Sequence, residues 1–205
     1  MRKPALPWTI SLLSVLTVAA STPDPAQAQA QAPPPSQAAA PPAAPSPDQQ
    51  VAGLEAACAA SATERANRHA QTPLFQRLRG EQGIHAITRE VVRLHLQNPP
   101  IRHYFEKLDP GVVAKRVAEF IVSGTGGPQV YQGPDLPTSH RSMKLTNHDF
   151  LLAGGDVAQA MKNLKYGPEE IDEVVCTLVS LRAQVVLGPQ TSAGAVGPRG
   201  REEAR

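Results

Sequence analysis

One histidine of the six in this chain stands in a setting that suits coordination chemistry. Gly126-Gly127-Pro128-Gln129-Val130-Tyr131-Gln132-Gly133 breaks the chain after an apolar helical stripe, and His140 follows seven residues later behind Ser139. A neutral imidazole held in one orientation is a ligand for iron, provided that its second ring nitrogen finds an acceptor. Other chemistries have weaker support. Ser139-His140 and the scattered acids form no nucleophile constellation, and no Gly-Lys-Ser/Thr follows Gly124 to Gly127, so that run is not a phosphate loop. Asp172 and Glu173 are adjacent, face different directions on a helix and read as surface charges. His85, His95, His103 and His148 read as solvated or capping residues.

Helices must position His140, because strand signals are nearly absent while helical periodicity recurs. Ile84, Ile87, Val91 and Leu94 form a stripe opened by Gly83 and closed by Pro99-Pro100. Pro110 suits a first helical turn, and Val113, Val117, Phe120 and Ile121 line one face before Gly124 to Gly127 end it. A third helix is expected from Asn147 as N-cap through Phe150, Val157 and Met161 to Leu164. A fourth carries Ile171, Val174, Val175, Leu178, Leu181 and Val185 after Gly167-Pro168. With short helices near Leu74 and Ile101, the class is all-α. Between about Thr125 and Leu145 the reading is a mostly irregular connection that contains His140.

Composition sets the limits around this domain. Lys plus Arg number 20 against 18 Asp plus Glu, a balance that argues against a nucleic-acid partner. Residues 1–30 read as a signal peptide: Arg2 and Lys3, an apolar run from Trp8 to Ala20, and an Ala-Gln-Ala pattern with cleavage expected near Ala28 or Ala30. The run falls short of the roughly 20 apolar residues that span a bilayer, so a retained membrane anchor is the weaker reading. Residues 31–50 form a Pro/Ala-rich linker, 51–73 an accessory helical segment, 74–188 the folded domain and 189–205 a frayed tail. Export to an oxidising compartment, the periplasm, allows Cys58 and Cys176 to pair and clamp the accessory segment to the domain; two unpaired thiols fit equally well.

The residues from Leu74 to about Gly188 resemble the group 1 truncated haemoglobins, a short form of the globin fold. The resemblance rests on Leu78 with Gly80 and Gly83-Ile84, on Tyr104-Phe105, on Gly-Gly-Pro-x-x-Tyr-x-Gly at 126–133, on His140, and on Leu145-Thr146 followed by Phe150. It covers a little over half of the chain, and no one element suffices alone. The resemblance implies a two-over-two helical sandwich holding haem b, with His140 as the proximal iron ligand. It also implies that Phe105 packs on the haem face and that Arg116 meets a propionate. Phe120, Leu145, Phe150, Val174 and Leu178 would enclose the porphyrin, though helical spacing alone reads each as core. The related groups 2 and 3 usually carry a pocket tryptophan, and the one tryptophan here is Trp8.

The chain departs from the family on the distal side. Group 1 members commonly place tyrosine and glutamine where this sequence has Val92 and Val117, and the further distal position is Val113. The resemblance therefore implies an apolar pocket that binds a diatomic gas, whether oxygen, nitric oxide or carbon monoxide, without a hydrogen bond to it. Two alternatives stand beside that reading. A haem-dependent redox enzyme acting on nitric oxide or peroxide requires a reductant that the sequence does not identify. A haem-free globin-like interaction or sensor module requires no cofactor.

Overall fold

The computed structural model describes residues 44–189. The expected signal peptide, residues 31–43 of the expected linker and the tail from residue 190 lie outside that range. Within it, helix α1 (Pro47–Ala60) begins with a reciprocal cap: Ser46 Oγ accepts the Gln49 N–H, the Gln49 side chain accepts the Ser46 N–H, and Pro47 fills the first turn. The Pro/Ala-rich spacer therefore ends at Ser46 rather than at residue 50. The accessory segment is two helices, α1 and α2 (Ala62–Gln71), broken at Ser61.

The main domain follows as α3 (Leu74–Arg77), α4 (Gly80–Gln97), a 3-10 turn (Arg102–Tyr104), α5 (Pro110–Gly124), α6 (Leu136–His140), α7 (Asn147–Asn163) and α8 (Pro168–Val185). No strand occurs among the described residues. The apolar stripes fall on these helices as the periodicity predicts, with boundary corrections. Helix α4 starts at Gly80 instead of beyond Gly83, following Arg79 in the left-handed region at φ 64°. Thr146, not Asn147, caps α7, because its hydroxyl accepts the Asp149 N–H while Asp149 accepts the Thr146 N–H. Asn147 instead donates to Asp48 of α1 and accepts from Arg182 of α8. The expected irregular connection between Thr125 and Leu145 contains α6, so His140 sits at the end of a short helix.

Helices α4 and α5 pack as one pair, α7 and α8 as another, and α4 lies against α7. Where they meet, Leu74, Leu78, Ile84, Ile87, Val91, Ala118, Val122, Ala160, Met161, Tyr166 and Val174 form the main core. Each large aliphatic side chain buried there contributes about 1.5–3 kcal/mol. The Tyr166 hydroxyl donates to the Leu78 carbonyl at 2.9 Å, which satisfies the one polar atom that its ring carries inward.

A second cluster joins the accessory helices to the domain. Cys58 of α1 and Cys176 of α8 form a disulfide, surrounded by Leu54, Phe150, Val175 and Val179. Arg65 donates to the Cys58 carbonyl and approaches Asp172, and Arg182 bonds Glu55 at 3.0 Å. Glu173 corrects the surface reading of its acidic pair: its buried side chain meets Arg77 and His69. Partners on α3 and α2, about a hundred residues earlier, make that burial tolerable.

Candidate functional site

His140 is fixed by its own short helix. Asp135 caps α6 by accepting the Thr138 N–H at 2.7 Å, and the Thr138 side chain, together with that N–H, holds the Asp135 carboxyl below its ordinary range. One turn on, the His140 Nδ1–H donates to the Leu136 carbonyl at 2.8 Å. The carbonyl can only accept, so the proton lies on Nδ1 and the lone pair is left on Nε2. A half-buried imidazole in that tautomer can serve as an oriented metal ligand. Among the described residues no cluster of three or more His, Cys, Asp or Glu is arranged to hold an ion. A metal on His140 would need its remaining ligands from outside the described side chains.

The glycine motif positions the segment leading into α6. Gly126 takes φ 93°, open to glycine but strained for other residues, and Gly127 lies so close to α3 that a Cβ would stand 2.6 Å from the Phe75 ring. The Phe75 N–H donates to the Thr125 carbonyl at 3.0 Å and the Gly127 N–H to the Val122 carbonyl at 3.0 Å. Beyond the turn, Ser123 Oγ accepts the N–H groups of Val130 at 3.1 Å and Tyr131 at 3.0 Å. Tyr131 meets the Phe120 ring edge-on at 5.3 Å and donates its hydroxyl to the Pro134 carbonyl at 2.7 Å. Through these contacts the end of α5 dictates where α6 starts.

The expected site residues divide by surroundings. Val113, Val117 and Phe120 form a stripe on α5 at i, i+4 and i+7, beside the fully buried Ala114, Ala118 and Val122. The stripe is only partly covered, with Val117 at 39% exposure, and none of its members belongs to either core cluster. Val92 of α4 is 4% exposed and also lies outside both clusters. Phe105, Leu145 and Leu178 are half-buried, and Arg116 is exposed on α5. Gly154, on α7 one turn after Phe150, has no atom within 4 Å of where a Cβ would stand. Phe150 packs against the disulfide cluster, and Val174 is part of the main core with Leu74 and Leu78.

Sequence reasoning missed His95 and Asp156. His95 is buried instead of solvated; its ring stacks on Phe105, with centroids 4.7 Å apart, and its Nδ1 lies 2.9 Å from Asp156 Oδ2. Burial pushes the imidazole below its ordinary value, against the opposing pull of Asp156. Tyr104, next to Phe105, faces Asp149, and burial chiefly raises its hydroxyl. A mid-helix Asp after two glycines was the only local signal for this cluster.

Residues 73–186, more than half of the chain, match the model of the bacterial-like globin family. The chain belongs to that family. It is a truncated globin: a group 1 truncated haemoglobin of Tetrahymena thermophila is 27% identical over 103 residues, covering 50% of this chain and 85% of that protein. The group 1 truncated haemoglobin GlbN of Mycolicibacterium paratuberculosis is 20% identical over 115 residues, 56% of this chain and 85% of its own length. The globin fold is also that of the truncated haemoglobin of Tetrahymena pyriformis in its Fe(III) form, at TM-score 0.53 and 23% identity, covering 58% of this chain and all of that one. A 2/2 haemoglobin of Synechococcus sp. PCC 7002 aligns at TM-score 0.52 and 20% identity over 57% of this chain and 98% of its own. With α4 packed on α5 and α7 on α8, the two-over-two sandwich is the fold of this globin.

Proposed function

We propose that this globin binds haem b through His140 and takes a diatomic gas on the opposite face, against Val92, Val113 and Val117. The carrying observation is the 2.8 Å bond from His140 Nδ1 to the Leu136 carbonyl, which leaves Nε2 with a lone pair and a fixed direction. The surrounding residues suit the group: one imidazole, a partly covered apolar stripe on α5, and half-buried Phe105, Leu145 and Leu178. Haem, when bound, supplies an iron with a coordination position for a gas. Phe105 and Phe120 exclude water from it, and Arg116 offers a charge to a propionate. The cysteines are joined to each other and no Cys-x-x-Cys-His motif exists, so no cysteine is available to bond the haem covalently.

The three valines set the preference among gases. Oxygen gains negative charge on binding, and a hydrogen bond to such a group is worth about 1.5–3 kcal/mol. Valine cannot donate one, so oxygen is held less tightly relative to carbon monoxide and nitric oxide than in a pocket with polar donors. The Cys58–Cys176 disulfide supports an exported, periplasmic protein. Titrating the purified protein with haem tests the proposal: a Soret band saturating at one haem per chain supports it, and no band at equimolar haem contradicts it and favours a haem-free module.

A further inference from the structure

The corner between α4 and the 3-10 turn carries Phe105, and a single carboxylate from α7 holds that corner in two ways. Asp156 Oδ2 accepts from His95 Nδ1 at 2.9 Å and from Asn98 Nδ2 at 3.0 Å. His95 lies three residues past Val92 on α4, and Asn98 is the residue that ends that helix. From Asn98 the chain turns under backbone control: its carbonyl accepts the N–H of Ile101 at 3.1 Å and of Arg102 at 2.9 Å, and the Arg102 carbonyl accepts that of Phe105 at 2.9 Å. The Phe105 ring then lies on the His95 imidazole, the planes 30° apart. Asp156 thus fixes the Phe105 ring through His95 and its backbone through Asn98.

Packing alone does not call for this arrangement. Ile87, Val91, Ala160 and Met161 already join α4 to α7 with apolar contacts, and apolar replacements for a buried polar cluster commonly cost nothing in stability. What hydrogen bonds add is direction: an imidazole with its Nδ1–H committed to one oxygen cannot rotate, so the ring stacked on it is held in one plane. Side chains at a working site are held this way when their orientation matters.

We propose that His95 and Asp156, assisted by Asn98, are positioning residues that set the plane of the Phe105 ring against the haem face. The proposal rests on the haem reading above, and its test separates the two. In apoprotein labelled on phenylalanine, the Phe105 ring signals of the native chain are displaced upfield by the imidazole beneath them. Asp156→Leu abolishes that displacement, whereas Asp156→Asn, which keeps an oxygen acceptor for His95 and Asn98, retains it. In the haem-loaded protein Asp156→Leu speeds haem loss by roughly three- to ten-fold, the size of one aromatic contact, and alters the Soret circular dichroism, while Asp156→Asn does neither. Asp156→Ala serves the same comparison if Asp156→Leu does not fold. Unchanged Phe105 signals and haem loss in a folded Asp156→Leu or Asp156→Ala chain overturn the proposal. Failure of the native protein to take up haem would overturn the haem reading instead, and with it the haem-facing role, whatever the apoprotein spectra show.

Discussion

Replacing both cysteines, Cys58→Ser with Cys176→Ser, removes the covalent tie between α1 and α8. The bond closes a loop across a sequence separation of 118 residues, for which chain entropy gives a stabilisation of about 5 kcal/mol. Measured effects fall below that limit, so a loss of about 2–4 kcal/mol is expected. The loss should not be uniform. Without the bond, α1 is held by the buried Val51, by Asp48 on Asn147 and by Glu55 on Arg182. The burial of Val51 is worth about 1.5–3 kcal/mol and the exposed Glu55–Arg182 pair at most about 1 kcal/mol. These contacts are comparable to what is removed, so α1 should detach before the globin unfolds. Urea unfolding followed by far-ultraviolet circular dichroism and tyrosine fluorescence reads both steps. Tyr104, Tyr131 and Tyr166 all report on the domain, whereas the sole tryptophan is Trp8. The expected outcome is a lower midpoint and an early helical loss that the tyrosines do not follow. Coincident, unshifted transitions in the serine variant would refute the clamp.

Three further outcomes follow from individual side chains. Val117→Gln places a donor at the most exposed of the three valines proposed to face the gas, so it fits without overpacking; oxygen release should slow roughly ten- to a hundred-fold in stopped-flow, and an unchanged rate would remove Val117 from the proposed pocket. Because His95 titrates below its ordinary value in the folded chain, the unfolded chain binds the extra proton first as pH falls through about 6.5. Stability at urea midpoint should therefore decline from pH 7.5 towards the lowered folded value and then level off, and His95→Gln should flatten the slope; equal slopes in the two proteins would refute burial of a neutral imidazole. Gly155 is exposed within α7 with no atom within 4 Å of a Cβ position, so Gly155→Ala should stabilise by about 0.5–1 kcal/mol in thermal unfolding, against which a loss would count.

What was legible in the sequence is what neighbours along the chain decide. The stripes of α4, α5, α7 and α8 repeat every three or four residues, and Pro110 and Pro168 announce two helix starts. The Ser46-Pro47-Asp48-Gln49 cap was equally local and readable, yet the Ala/Pro composition on its N-terminal side drew the linker four residues too far. Asn147 reads as a cap in the sequence, whereas its bonds go to Asp48 and Arg182, far away in the chain. The same limit hid the burial of Glu173 against Arg77 and of His95 against Asp156: a charge reads as solvated until its partner is known. For the candidate site, spacing points to the glycine motif and His140, and family resemblance to Phe105, and the hydrogen bonds that hold the His140 ring and the Phe105 backbone are local. The support beneath the Phe105 ring is not local, because it is assembled from His95 and Asp156, 61 residues apart on two helices.

The central claim is that Nε2 of His140 binds haem iron, and replacing this residue tests it most directly. Ferric and ferrous absorption spectra of the haem-loaded native protein should show histidine ligation. His140→Gly should lose that signature, bind haem more weakly and recover the native spectrum when imidazole is added to the solution. A His140→Gly protein whose spectrum and haem affinity match the native chain, with no response to imidazole, would contradict the account.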